Sequence, residues 1–295
     1  MKVLITGASG FVGKNIKEYF IKERYCGDAP SSKELDCLDA EVVEEHLRKN
    51  HYDVVFHFAV YGDAIDKTKD GTKILEYNLR MFWNFARCSH LYGKMIYTGS
   101  GAEYDKRYPI VLATEEDLKN HLLPVDAYGL LKYTVNQMIE NSRNIYNLRL
   151  FGIFGKYEDW KTKYISNLCC KSIKNLPLSM RMNCYFDYLW IEDFCVLLEK
   201  FLLLERPKYH VYNAVSGTRM DLHTIAELVN KVSGKEQKIL VCRPGLANEY
   251  TASNQRILEE LPDLVFTPME QAIETLYRWY EENQEKIDIY SLIYG

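Results

Sequence analysis

The chain has 295 residues, 47% of them hydrophobic and 26% charged, with a formal net charge of −4 and a pI near 6.0. This is globular composition, enough for one large domain or two interleaved ones, and it lacks the basic excess of a nucleic-acid binder. Apolar runs such as 194–204 are broken by charges and are too short to span a bilayer.

No charged-then-apolar leader precedes the first strand pattern, so the expectation is a soluble, cytoplasmic protein with neither membrane nor nucleic-acid partners. The eight cysteines form no C-x-x-C and mostly sit in apolar segments, which reads as buried, reduced thiols. The seven histidines show no H-x-x-x-H spacing, so no metal site is expected.

Taken in order, residues 2–6 read as a short buried strand, followed by a glycine-rich turn and an amphipathic helix to about Arg24. Residues 25–37 read as irregular, with no clean second strand. A helix at about 39–49 leads to a strand at 53–57, and a long helix at about 70–92 leads to a strand at 94–98. A proline-containing loop precedes a helix that Asp126 caps, and 144–150 is the next strand. This alternation predicts an α/β fold with a doubly wound parallel sheet.

Beyond Gly155 the rhythm changes. Helices are expected near 161–175 and 192–204, after Asp221, near 254–260 and after Pro268. Strands are expected at 178–180, 185–191, 211–213 and 238–242. The predicted division is a dinucleotide-binding part, 1–155, also using about 185–213. A smaller, mixed substrate-binding part takes 156–184 and 214–295.

Two stretches carry chemistry. Thr6-Gly7-Ala8-Ser9-Gly10-Phe11-Val12-Gly13 follows a strand and opens a helix. Gly7 suits a tight turn, Gly10 a close approach to a pyrophosphate, and Gly13 close helix–strand packing. The phosphates would then meet the free N–H groups at the positive end of the helix. Ser9, Phe11 and Val12 complete that candidate cradle. The second stretch joins Ser100, at the end of a strand, to Tyr128 and Lys132, one turn apart on one helix face. A second Y-x-x-x-K, Tyr157 and Lys161, has no such serine and reads as incidental.

With these motifs in this order, the sequence resembles the extended short-chain dehydrogenase/reductase family of nucleotide-sugar epimerases, dehydratases and reductases. The resemblance covers nearly the whole chain and implies a Rossmann-type sheet with a smaller C-terminal substrate domain. It implies hydride transfer between a carbinol carbon and a nicotinamide, with Ser100, Tyr128 and Lys132 as catalytic residues. The Tyr moves the proton, the Lys tunes it and holds the nicotinamide ribose, and the Ser orients the substrate oxygen.

Residues 31–39 resemble the segment of sugar-nucleotide reductases that holds an adenosine 2′-phosphate. That points to Ser32 and Lys33 for the phosphate and to Asp36 and Cys37 for the adenine, hence to NADP, with NAD as the alternative. Ala59, in Phe56-His57-Phe58-Ala59, and Asn78 match further cofactor-side positions, with His57 equally readable as a core histidine.

The family's heavier chemistries use acids or a thiol directly after the serine; here those positions are Gly101 and Ala102, and Glu103 stands one place out of register. Bare redox at a carbinol remains: reduction of a nucleotide-linked 4-keto (6-deoxy) sugar in polysaccharide biosynthesis, or 4-epimerisation through a transient ketone. A non-catalytic dinucleotide sensor is the third reading, and the retained Tyr and Lys count against it.

On the substrate side, Ser100, Gly101, Gly152, Phe186 and Arg243 fall on family contact positions. Gly152 stands where an Asn is usual and Phe186 where an Arg is usual. Lys161, Lys163 and Arg181 read as possible further anion contacts. The resemblance also implies a homodimer through two helices per subunit. Ile74, Leu75, Leu79, Phe82, Trp83 and Phe85 give the first of these more apolar surface than one core face requires.

Overall fold

A computed structural model describes residues 1–23, 25–62 and 70–294. The first half runs β1 (Lys2–Thr6), α1 (Phe11–Lys22), β2 (Cys26–Asp28), α2 (Ala40–Asn50), β3 (Tyr52–His57), α3 (Ile74–Ala86), β4 (Tyr92–Ser100), β5 (Ile110–Ala113), α4 (Ala127–Glu140) and β6 (Ile145–Leu150). The second runs β7 (Gly152–Phe154), α5 (Tyr164–Ile173), β8 (Leu178–Met180), β9 (Tyr185–Trp190), α6 (Ile191–Leu203), β10 (Val211–Asn213), β11 (Arg219–Asp221), α7 (Leu222–Ser233), β12 (Ile239–Val241), β13 (Tyr250–Ala252), α8 (Gln255–Glu260), α9 (Met269–Glu282) and α10 (Ile289–Tyr294).

Six parallel strands form the main sheet, in the order β10-β6-β4-β3-β1-β2. Strand alternation builds two cores. Val3, Ile5, Val54, Phe56 and Ile96 face one side, under α1 and α6; Leu4, Val55, Met95 and Tyr97 face the other, under α2, α3 and α4. The strand order reverses between β1 and β3, so the crevice where a doubly wound sheet binds ligands opens at the ends of these two strands. A mixed sheet, β11-β9-β13-β5 with β7 beside β9, is built from second-half strands together with β5 of the first half. The fold is therefore the Rossmann-type α/β architecture with a smaller mixed domain.

Some sequence expectations need correction. Residues 26–28 are not irregular: they form an edge strand paired in parallel with β1. Three residues are too few for a periodic signal. The expected helix 70–92 is shorter, flanked by 3₁₀ turns at Gly71–Lys73 and Ser89–Leu91, and β4 starts two residues early. Helix α1 ends at Lys22; Arg24 lies outside the described residues. Strand β10 does join the main sheet, beside β6, whereas β9 belongs to the mixed one. Asp126 and Asp221 cap α4 and α7 as read, accepting from Gly129 N and from His223 N and Thr224 N.

Candidate active site

Two of the three loop glycines are demanded by the protein's own packing. Gly7 has φ +68°, and a Cβ there would stand 2.6 Å from the Ala59 nitrogen. A Cβ on Gly13 would stand 2.8 Å from Ala8 Cα. Gly10 is different: a Cβ there would meet only the Gly7 carbonyl oxygen, at 3.4 Å. The protein leaves that space free, on the side of the cleft.

Helix α1 begins at Gly10 with no side-chain cap and no acid in its first turn, so its amino end keeps unsatisfied donors beside the cleft. Thr6 Oγ1 accepts from Ala59 N at 3.2 Å and ties β1 to β3. His57 Nδ1 lies 3.1 Å from the same oxygen, and its ring packs on Phe85 and Tyr97. Burial, aided by Lys132, pushes the imidazole down to about 3, so His57 is a neutral histidine built into the core wall.

Ser100 ends β4 and caps a 3₁₀ turn, Gly101–Glu103. Its Oγ accepts from Ala102 N, and Glu103 Oε1 accepts from Ser100 N, each at 3.1 Å. Glu103 is fully buried and turned away from the cleft. Its Oε2 accepts from Arg149 Nε at 2.6 Å and its Oε1 from Asn147 Nδ2 at 3.1 Å. Arg149, also fully buried, donates further to Tyr104 Oη, Asn213 Oδ1 and Asn136 Oδ1. The carboxylate nearest in sequence to Ser100 is thus a structural anchor of its turn.

Lys132 Nζ donates to the Thr98 carbonyl at 2.7 Å and lies 5.6 Å from the centre of the Tyr128 ring. Burial pushes this ammonium down to about 8, with Glu103 opposing. Gly129 explains how α4 reaches the turn. A Cβ there would stand 2.6 Å from Pro124 Cβ and 2.7 Å from the Ala102 carbonyl, so helix and turn are in backbone contact. Sequence reading missed this glycine; its place beside Tyr128 was the available signal.

A cleft of about 700 Å³ gathers these parts, in the size range of cofactor and substrate sites. Gly7, Gly10, Phe11, Val12, Gly13 and Ala59 border it at one end. Ser100, Tyr128 and Lys132 stand along it, and Gly152, Phe186 and Lys163 border the other end. Residues to which sequence reading gave no site role also line it, among them Lys106, Glu158, Tyr188 and Tyr250. Glu158 is buried and accepts from Ser166 Oγ at 2.6 Å. Burial pushes its carboxyl up to about 8, against the pull of Ser166 and Lys163.

Other expected site residues lie outside the cleft lining. Ser9 is exposed at the loop tip, and Ser32 and Lys33 are exposed on a turn that Glu34 closes by accepting from Ser31 N and Oγ. Asp36 accepts from Leu38 N, and Cys37, whose thiol is pushed up to about 12 by burial, accepts from Asn84 at its carbonyl. Asn78 holds Tyr61 N and O, so it fixes the loop after β3. Arg243 is exposed, its N–H donated to the Arg181 carbonyl.

Gly152 is explained by packing: a Cβ there would stand 2.7 Å from the Asp187 carbonyl, so no asparagine fits. Tyr157 also lies outside the cleft, against Lys14 and Trp279. The newly found β2 ends in an acid, Asp28, which the sequence reading had not placed on a strand. Its carboxylate accepts from Tyr52 Oη at 2.6 Å and pairs with Lys2 at 3.5 Å, at the start of the neighbouring strands.

The sequence model described as "NAD dependent epimerase/dehydratase family" matches residues 3–214. The chain belongs to that family. It is an NAD(P)-dependent enzyme of the extended short-chain dehydrogenase/reductase type, and the cradle at Gly10 with the uncapped α1 fits a dinucleotide.

Among relatives, GDP-L-colitose synthase of Yersinia pseudotuberculosis is 31% identical over 144 residues, covering 48% of this chain and 47% of that protein. UDP-arabinose 4-epimerase 1 of Arabidopsis thaliana is 23% identical, covering 94% and 78%. In fold, the chain is similar to a GDP-L-fucose synthetase from Naegleria fowleri, with TM-score 0.78, 20% identity and coverage of 97% and 94%. It is also similar to a UDP-glucose 4-epimerase from Thermotoga maritima, with TM-score 0.80, 16% identity and coverage of 96% and 100%.

Proposed function

We propose that this enzyme uses NADPH to reduce the ketone of a nucleotide-linked 4-keto (6-deoxy) sugar. The observation that carries the reading is the pairing of Ser100, Tyr128 and Lys132 in one cleft with Glu103 turned away to Arg149. Redox chemistry at an oxygen-bearing carbon is equipped; no carboxylate stands at 101 or 102 for elimination. The relatives whose names describe GDP-sugar synthases agree with such a substrate.

The dinucleotide would rest on Gly10 and the α1 amino end and supply the hydride. Tyr128 gives its proton to the ketone oxygen. Lys132, held by the Thr98 carbonyl, places a positive charge near the Tyr128 ring, which favours the phenolate left behind. Ser100 fixes the oxygen between them. The exposed Ser32 and Lys33, on the turn just after β2, are the proposed holders of a 2′-phosphate; Asp28 is engaged through one carboxylate oxygen by Tyr52 and Lys2.

A 4-epimerase keeping NAD bound is the second reading, favoured by the full-length likeness in fold to a UDP-glucose 4-epimerase. NADPH oxidation against a panel of nucleotide 4-keto-6-deoxy sugars separates the two. No turnover on any of them, with NAD retained through purification, overturns the reductase. A homodimer through α3 and α4 is part of the proposal: Trp83 is 53% exposed on α3 while Phe82 and Phe85 fill the core. Light scattering of Trp83→Glu beside the parent protein tests it, a dimer by both overturning this surface as the contact.

A further inference from the structure

Tyr250 enters the reaction centre from 150 positions downstream of Ser100. Strand β13 carries it between β5 and β9, with Tyr250 opposite Ile110 on one side and Phe186 on the other. Its ring packs on Phe151 at 4.8 Å and on Phe186 at 5.2 Å between centres. The phenol reaches Gly101. A Cβ on Gly101 would stand 2.7 Å from Tyr250 Cζ and would overlap the phenol oxygen. A side chain at 101 therefore requires Tyr250, and Phe151 beside it, to shift. The Ser100 hydroxyl is a neighbouring polar group, and its influence on the phenol is to ease ionisation.

The Ser100 oxygen accepts from Ala102 N and has a second lone pair that a neighbouring phenol can fill as donor, which leaves the serine proton for a ketone oxygen. Burial, with Tyr128 and Glu103 nearby, holds Tyr250 ionisation well above the ordinary tyrosine value. The phenol stays neutral at working pH and keeps a proton of its own to donate. A neutral phenol is a poor base, so the arrangement serves orientation and not proton abstraction.

We propose that Tyr250 is a positioning residue that sets the direction of the Ser100 hydroxyl, and that Gly101 is a glycine so that this phenol has its place. The inference rests on the reading of Ser100 as the residue that orients the substrate oxygen. It adds that Ser100 does so as half of a two-hydroxyl bracket, and that the second half comes from the substrate domain. That domain thus takes part in aligning the reacting group as well as in binding.

Two measurements test it, one of them free of any assumption about substrate. In protein carrying ¹³Cζ-labelled tyrosine, the resonance lost in Tyr250→Phe is expected to shift in Ser100→Ala and to show no titration up to pH 10. A resonance that Ser100→Ala leaves in place, or one that titrates below pH 9, overturns the inference.

On the ketone that the panel identifies, Tyr250→Phe is expected to lower kcat by roughly tenfold to a hundredfold, the scale of a lost alignment, with NADPH affinity unchanged. In a Ser100→Ala background the same substitution is expected to have no further effect, because Tyr250 acts through Ser100. Losses that multiply in the double variant overturn the proposal. A panel without turnover removes the reductase reading, and the resonance experiment still decides for or against Tyr250.

Discussion

The two ends of the cleft are built in different ways. The cofactor end is backbone: three glycines, a helix terminus and the small Ala59, from two short stretches of chain. The substrate end is side chains from several separated segments, among them Lys106, Glu158, Phe186 and Tyr250. A backbone cradle recognises a shape that many enzymes share, the pyrophosphate, and its rules are local. A side-chain wall recognises one substrate, and nothing local dictates it.

The reaction centre lies between these ends, and its loss is the largest effect expected. Tyr128→Phe should lower turnover by about 10²–10⁴-fold, the usual weight of a positioned acid or base, while NADPH binding followed by fluorescence stays nearly unchanged. Substantial residual activity would remove Tyr128 from the role. Behind the centre, Glu103→Ala should destabilise the fold by about 3–5 kcal/mol by leaving Arg149 buried and unpaired. Urea unfolding reads this directly, and a loss under 1 kcal/mol would mean that water replaces the pair.

Within the cofactor end, Gly13 and Gly10 offer a sharper comparison. Gly13→Ala should destabilise by about 1–3 kcal/mol, because the added carbon meets backbone. Gly10→Ala should leave the melting temperature within a degree or two, since the protein itself has room, yet weaken NADPH about tenfold or more through lost approach to the phosphates. Equal effects on stability would erase the distinction between a glycine required by the fold and one kept open for a ligand.

The same contrast explains what the sequence made legible. Gly7 and Gly13 are required by neighbours a few residues away or on the adjoining strand, and Asp126 and Asp221 by the helices they begin; such demands leave local marks. Ser100, Tyr128 and Lys132 could be named as candidates because residue type and spacing carry the chemistry, and the structure brings the three to one cleft. Strand β2 escaped because three edge residues hold no period, and with it went the acid at its end. Tyr250 escaped because its place depends on β13 pairing with β5 and β9, contacts that span 140 and 64 positions between Tyr250 and its partners Ile110 and Phe186. Gly101 was read as an absence of acid. In the structure the space of its missing side chain is also where the Tyr250 phenol packs. Gly152 likewise was read as a missing asparagine, where the close approach of β9 admits no side chain.

The smallest expected effect contrasts two buried ionisable groups along the cleft, Glu158 and Lys132. Glu158, raised from 4.5 to about 8 by burial, keeps its proton in the folded state over a range where the unfolded chain has lost it. Its contribution to stability is full below about pH 4.5 and is lost as pH rises to about 8. Lys132 is lowered from 10.5 to about 8, so its contribution has the opposite sign: it is full above about 10.5 and is lost as pH falls to about 8. Asp187, raised to about 6, follows Glu158 over a narrower window. The melting temperature of the cofactor-free protein should therefore carry a Glu158 descent from the acid side and a Lys132 descent from the alkaline side, over the opposite slopes that His57 adds below pH 6.5 and the buried thiols and phenols add at high pH. Glu158→Gln keeps the partner of Ser166 and removes the titration, so it should flatten the acid-side descent between pH 5 and 8 and leave the alkaline side as it was. If the descent survives the substitution unchanged, Glu158 is ionised in the folded protein, and the substrate end of the cleft carries a negative charge where a neutral acid is expected.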